Sequence, residues 1–458
     1  MSRLNDSTSR QSSEQVPGRV TVAPGVLAGA VRVPGDKSIG HRALIIGALT
    51  DGTCILTGVP ASQDVLATAA AVQAMGATVT LGAGSTGLDG TVTGPLGAPD
   101  RPIDCGNSGT ALRLLAGVAA GIDGTTTLTG DESLLARPMG RVSRPLRALG
   151  ATVDGPDDAT RPPLAVTGVI RDGGSHRSEV ASAQVKSALL LAAVRAGVGV
   201  TVQSPLPSRD HTERMLRAMG LAVETDLEDG ARVTLSAGVP AAIPITVPAD
   251  PSSAAFWWAA AAIGGTVVTT PDVGVNPGRT GILAPLAAFG AAVSIELQDP
   301  AGDEPVATVT VDGSGGLTEH TSLGGAQVVD AIDELPILAI VGALGDGGLE
   351  VTDAAELRVK ESDRIGALER LFTALGMTIQ TRPDGFTVPG GQQPRGGTFD
   401  AGLDHRLAMS AAIAATVATG PVTIDGFAAT GSSYPGFASD FASLGGSIAP
   451  ADGTDGPP

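Results

Sequence analysis

Lysine and cysteine are nearly missing from this 458-residue chain. Two cysteines, Cys54 and Cys105, cannot build a disulfide framework, and their scarcity fits a reducing compartment, the cytoplasm. Positive charge is short overall: 29 Lys and Arg against 47 Asp and Glu leave a net charge of −18, a field that repels nucleic acid and anionic membranes. Long apolar runs are absent too. Stretches such as AAFWWAAAAIGG are too short and too rich in alanine to span a bilayer, so a soluble protein without a membrane partner is expected. Residues 1–18 are polar, with no apolar signal-peptide core, and read with the tail 451–458 as disordered ends. No metal-ligand spacing and no Ser-His-Asp pattern stands out, and no G-x-G-x-x-G follows a strand, which disfavours a Rossmann fold.

What is present is selective. Only three of the 29 basic residues are lysine: Lys37, Lys186 and Lys360. An ammonium is a compact donor that can also move protons, so lysine retained in a chain that otherwise uses arginine marks candidate chemistry.

The chain also repeats itself. A small or apolar residue pair, a glycine and a β-branched residue recur at Gly76, Gly150, Gly220, Gly290, Gly376 and Gly445, spaced 74, 70, 70, 86 and 69 residues apart. Each reads as a helix end capped by a left-handed glycine, then entry into a strand. Between them a second glycine opens a β-rich tetrad, as in GTCIL and GTTTL, and an Ala/Leu-rich run precedes each. Those runs are apolar on nearly every side and so predict buried helices. The unit is buried helix, strand, second helix, strand, six times over. The first begins near Pro34 and the third ends near Pro248, which predicts two lobes of three units, each with its own core.

The starts of the inner helices carry the polar signal. In GDKSIGHR, Lys37 and Ser38 open a helix with Arg42 one turn on. Asp36 stands where a Walker loop needs glycine, so this is not a nucleotide loop. The free N–H groups and dipole of a helix start nonetheless favour an anion. GNSGTALR repeats the arrangement with Gly109 and Arg113, and SAQVKSALL with Ser182, Gln184 and Lys186. Further along stand Arg137 in LLARPMGR, Arg209 in SRDHTERM, and Asp333 and Glu334 in VVDAIDELP. ELRVKESDR adds Lys360, Glu361 and Arg364, and LDHRLAM adds Asp404, His405 and Arg406. Any one of these strings also reads as an ordinary capped helix start or a solvated charged face. Nine cations at equivalent repeat edges of an acidic chain point to a cleft for a strongly anionic small molecule, with Asp333 and Glu361 available for proton transfer.

In order along the chain, GDKSIGHRA, GNSGTALR, ARPMGR, SAQVKSALLLA, RDHTERML, IDELPILA, RVKESDR and DHRLAM resemble the 5-enolpyruvylshikimate-3-phosphate synthases, over about Val33 to Phe437. The resemblance implies a mixed α/β fold of two lobes, each an inside-out α/β barrel of three βαβαββ units with buried helices and outer sheets. The first lobe would be 34–248. The second would be 19–33 plus 249–450, because the polypeptide crosses twice. It implies transfer of the enolpyruvyl group of phosphoenolpyruvate to the 5-hydroxyl of shikimate 3-phosphate, without cofactor or metal, by a cytoplasmic monomer, and inhibition by glyphosate. Carried over, Lys37, Gly109, Arg137, Gln184, Arg364 and Arg406 would bind phosphoenolpyruvate. Lys37, Ser38, Arg42, Ser182, Gln184, Arg209, Asp333 and Lys360 would bind shikimate 3-phosphate. Lys37, Asp333 and Glu361 would be catalytic, with Glu361 or Lys37 protonating the methylene carbon. The chain departs from the family at Ala183 (often serine), Ser432 (often lysine) and Glu356 (often asparagine). The sister transferase that uses UDP-N-acetylglucosamine has Lys-Asn at the first motif and a loop cysteine; here Ser38 follows Lys37, and GDESLLARPMG has no cysteine. A non-enzymatic repeat scaffold would leave the nine cations unexplained.

Overall fold

The structure is a computed structural model that describes residues 16–228 and 230–451. Most of the expected leader (1–15) and tail (452–458) therefore lies outside the described residues. Val16 packs against the core, and the Gly18 carbonyl accepts the Phe427 N–H at 3.0 Å.

Six inner helices organise the fold: α1 (Lys37–Gly47), α2 (Gly109–Ala120), α3 (Ala183–Ala196), α4 (Pro251–Gly264), α5 (Leu335–Leu344) and α6 (His405–Ala415). They are the runs that are apolar around their whole circumference, and burial follows from that pattern. Every residue from Pro251 to Ala262 in α4 is buried, as are Leu335–Ala343 of α5 and all of α6. The two tryptophans of α4 keep their indole N–H groups satisfied inside the core. Trp257 donates to the Tyr434 hydroxyl at 3.0 Å and Trp258 to the Thr270 hydroxyl at 2.8 Å.

Six four-stranded sheets accompany these helices. The second unit shows the plan. Strand Ile103–Asp104 leads into α2 and returns as Thr125–Thr129 in parallel; the outer helix Gly140–Ala148 then leads to the antiparallel strands Thr152–Asp154 and Leu164–Thr167. A helical crossover is what a parallel pair requires. All six sheets keep the order first, second, fourth, third, so the unit is βαβαββ. The six outer helices each run into a glycine at positive φ: Gly76, Gly150, Gly220, Gly290, Gly376 and Gly445.

The chain order is permuted at the joins. The opening strand of the first sheet is Ile245–Thr246, paired with Leu56 and Thr57. The strand Arg19–Ala23 closes the sixth sheet, and Gly29–Ala30 opens the fourth. The buried apolar residues accordingly form two clusters, one from Ile39 to Val247, the other from Val20 to Val33 and Ala249 to Leu444. The two connecting segments run side by side: Asp36 N–H donates to the Pro248 carbonyl at 2.7 Å, and Asp250 N–H to the Pro34 carbonyl at 2.8 Å. Arg279 ties them down through Asp36 at 3.0 Å and Asp250 at 2.5 Å. No helix among the described residues is long and apolar enough to cross a membrane.

Candidate active site

Five of the six inner helices begin on a side chain that accepts one of the free N–H groups of the first turn. Asp36 accepts from Ile39, Ser108 from Ala111, Ser182 from Val185, Asp250 from Ser252 and Asp404 from Arg406. Helix α5 follows Glu334 without such a cap. The remaining N–H groups and the helix dipoles make these starts favourable to negative charge. Lys37 ties two of them together across the halves, its N–H reaching Asp250 Oδ2 at 3.3 Å.

On the half built around α4–α6, the charged groups interlock. Asp333 Oδ2 lies 2.7 Å from Arg209 of the opposite half and 3.9 Å from Arg406, while Oδ1 lies 3.4 Å from Lys360 and 3.6 Å from Arg364. Burial alone would push the Asp333 carboxyl up, but Lys360, Arg209, Arg406 and Arg364 together hold it well below the usual range. Glu361 pairs with Arg364 at 2.5 Å and, across the halves, with Arg137 at 3.8 Å. Its carboxyl is likewise held well below normal against burial, chiefly by Arg364 and Arg137, with Lys37 adding to them. Arg364 is fully buried and anchored by Asp404 at 2.9 Å. Arg406 donates to the Asp333 carbonyl at 2.7 Å and to Glu334 at 3.3 Å. His405 is buried, with Lys37 and Arg406 nearby, so its imidazole is held well below its usual range and stays neutral.

The half built around α1–α3 supplies quieter groups. Arg42 is buried and donates to Thr212 at 2.7 Å, Ser187 at 2.8 Å and the Ser38 carbonyl at 2.8 Å; burial brings its guanidinium down to about 10. Gln184 accepts from Arg113 at 2.7 Å and donates to Thr110 at 2.9 Å. Arg137 donates to Asn107 at 2.5 Å. Lys186 lies 2.6 Å from Glu213, both nearly inaccessible. Lys37 Nζ donates to Asp64 at 3.0 Å. A Cβ on Gly109 would come within 2.9 Å of Arg113 Nη1 and 3.2 Å of Arg137 Nη1, so glycine keeps that helix start open.

Arg137, Arg209, Asp333, Lys360, Glu361, Arg364 and Arg406 thus meet in one seam. Lys37 stands beside it, within electrostatic reach of Glu361 and His405. Arg42 and Gln184 are held within the first half by the bonds just given. A cavity of about 340 Å³ is lined by Ser362, Arg370, Phe399, Asp400 and Leu403, none of them among the seam residues just named. Sequence reasoning passed over Asp64, the partner of Lys37, because one aspartate at an outer helix start carries no signal. It also passed over Arg279, whose partners come from both connecting segments, and the pair Arg141–Glu356. Ser432 reaches the His405 ring at 3.3 Å and the Ala429 carbonyl at 2.8 Å. Among the described residues no group of His, Cys, Asp and Glu could hold a metal ion.

Comparison with known proteins points the same way. The family profile EPSP synthase (3-phosphoshikimate 1-carboxyvinyltransferase) matches residues 22–441. The 3-phosphoshikimate 1-carboxyvinyltransferase of Synechococcus sp. (strain RCC307) is 43% identical over 427 residues, 92% of this chain and 97% of its own length. That of Roseiflexus sp. (strain RS-1) is 45% identical over 418 residues, 90% and 96% of the two chains. A solved EPSP synthase from Acinetobacter baumannii superposes with a TM-score of 0.81 at 37% identity, covering 94% of this chain and 99% of that one.

Proposed function

This chain belongs to the EPSP synthase family, and from that premise we propose how its residues divide the work. The reaction moves the enolpyruvyl group of phosphoenolpyruvate onto shikimate 3-phosphate and releases phosphate, a step of aromatic amino acid biosynthesis. Phosphoenolpyruvate is a poor electrophile until its methylene carbon gains a proton. The 5-hydroxyl oxygen then bonds to C2, and its own proton leaves to a base. The resulting tetrahedral intermediate loses phosphate and a methyl proton to give the enol ether.

In the division we propose, Lys37, Arg137, Arg364 and Arg406 take the carboxylate and phosphate of phosphoenolpyruvate, at the opening beside Gly109 and Gln184. Lys37, Ser38, Arg42, Ser182, Gln184, Arg209 and Lys360 take shikimate 3-phosphate. Asp333 accepts the 5-hydroxyl proton, and Glu361 or Lys37 supplies the proton to the methylene. Cations fixed in advance around developing negative charge are each worth about 2.7–4 kcal/mol where comparable donors have been removed. The observation that carries this reading is the seam itself, where Arg137, Arg209, Lys360, Arg364 and Arg406 surround two partly buried carboxylates.

The seam also sets a condition on the chemistry. Without substrate, Glu361 and Asp333 are ionised, because the cations that will hold substrate hold them. A polyanionic substrate that takes over Arg137 and Arg364 withdraws that support, and the Glu361 carboxyl rises toward protonation. Residues 34–248 and 19–33 plus 249–450 would move as two lobes about the paired connecting segments, closing to exclude water. We place the enzyme in the cytoplasm as a monomer working without cofactor.

The test is direct: protein, phosphoenolpyruvate and shikimate 3-phosphate are mixed and phosphate release is followed. Release only with UDP-N-acetylglucosamine as acceptor would move the chain to the sister activity, and no release with either would sink the reading.

A further inference from the structure

Resting on that reading of the seam, we infer that Arg141 and Glu356 form a clasp that positions the turn delivering Lys360 and Glu361. Arg141 lies in the first turn of the outer helix Gly140–Ala148, just after the turn that holds Arg137. Its two terminal nitrogens donate to the two carboxylate oxygens of Glu356, Nη1 to Oε1 at 2.8 Å and Nη2 to Oε2 at 3.0 Å. A parallel fork of this kind fixes orientation as well as distance. Glu356 belongs to the 3-10 segment Ala355–Val359, which runs directly into Lys360 and Glu361.

Two rungs therefore span the seam at this point. The inner rung is Arg137 to Glu361 at 3.8 Å, the outer is Arg141 to Glu356. They respond differently to substrate. The inner rung consists of a proposed ligand and a proposed acid, so phosphoenolpyruvate must break it. Neither residue of the outer rung is among those assigned to substrate above, so in this reading it persists while the inner one opens and keeps the turn in register. Its side chains are 26% and 41% exposed, so desolvation costs little and cutting it strands no buried charge. What such a pair can supply is placement of the turn, with little effect on global stability. Arg141 and Glu356 are positioning residues, acting through the backbone of the turn.

The experiment is steady-state phosphate release with both substrates on Arg141→Ala, Glu356→Gln, the two combined, and the exchanged pair Arg141→Glu with Glu356→Arg. Each single change should lower kcat/KM for phosphoenolpyruvate about 3- to 5-fold, the upper range for an exposed ion pair, with the melting midpoint unmoved. The combined variant should be no worse than either single change, and the exchanged pair should recover to within about twofold of wild type. Single variants that match wild type overturn the clasp, as does a combined loss equal to the product of the two. An exchanged pair worse than the singles also overturns it, because Arg141 would then be acting on the anionic substrate itself. An inactive wild type would sink the reading of the site; an active wild type with unaffected variants sinks the clasp alone.

Discussion

Glu361 faces two demands that conflict: to donate a proton it must carry one, yet Arg364 and Arg137 hold it ionised in the empty site. If it is the acid, binding phosphoenolpyruvate, which takes over Arg137 and Arg364, must draw a proton from solvent. Calorimetry at pH 7 in buffers of different ionisation enthalpy measures this, and uptake approaching one proton per site is expected. Zero uptake would leave the role to Lys37. Where uptake is seen, Glu361→Gln should cut turnover about 10²-fold or more, the usual contribution of a positioned acid. Lys37→Ala should abolish turnover while hardly moving the melting midpoint, since the Lys37–Asp64 pair is only partly buried, at 19% and 12% exposed; a large drop would make Lys37 structural. Gly109→Ala probes the opening beside the cations. The methyl group would meet the tips of the flexible Arg113 and Arg137 side chains and no backbone, so the fold should keep its stability. KM for phosphoenolpyruvate should rise several-fold as those guanidinium groups shift. An unchanged KM would show that neither arginine senses position 109.

The inner helices could be read from the sequence because an all-round apolar helix has only one place to go, and the repeat of Gly76, Gly150, Gly220, Gly290, Gly376 and Gly445 marked where each outer helix stops. The strands were half legible. The second and third of each unit follow a glycine signal, whereas the opening strands are two to four residues long, as in Ile103–Asp104 and Gly29–Ala30, too short to show a period of two. Closing strands such as Leu88–Thr93 carry Asp89 and Gly90, which read as a turn. The strand pairings at the joins were hidden for another reason: Ile245 with Leu56 and Arg19 with Asp425 are contacts between residues far apart in the chain, and no local pattern encodes them. The site followed the same rule. Side chains at helix starts, such as Lys37, Ser38, Ser182 and Arg406, were legible from capping and charge. Which carboxylate meets which cation depends on how the two halves close, so Arg209–Asp333 and Arg141–Glu356 were not. The caps themselves are testable. Ser108 is buried and accepts the Ala111 N–H at 3.1 Å, so Ser108→Ala should cost about 1 kcal/mol in urea unfolding. A loss indistinguishable from zero would mean the start of α2 is held by its neighbours alone.

The paired connecting segments join the two halves around charge, and that sets how the whole molecule meets acid. Asp36 and Asp250 share Arg279 in a buried site. Burial would raise the Asp36 carboxyl, but Arg279, His211 and the Ile39 N–H bring it down to about 2. Asp250 is raised instead, by burial and by Asp36, so it takes a proton first as pH falls and leaves Arg279 to Asp36. A carboxylate with a lowered folded pKa adds stability that is complete above its unfolded value, 3.8 for Asp36, and is lost as pH falls through the folded value. Asp250 contributes with the opposite sign: the stability its proton supplies is lost as pH rises. The stability that Asp36 contributes should therefore be fully present at pH 7 and disappear between about pH 4 and pH 2. Asp36→Asn isolates it, because asparagine still caps α1 while the charge is gone. Melting midpoints of wild type and Asp36→Asn should differ most at neutral pH and converge toward pH 2. A gap that stays constant over that range would mean that the ion pair with Arg279 is not what holds the connecting segments together. Asp333 and Glu361, held well below the usual carboxylate range by cations from both halves, should keep their pairing with Arg209 and Arg137 through that pH range and lose it only at more acid pH. Small-angle scattering should then show the halves moving apart there while the helical signal persists, since each half keeps its own apolar core.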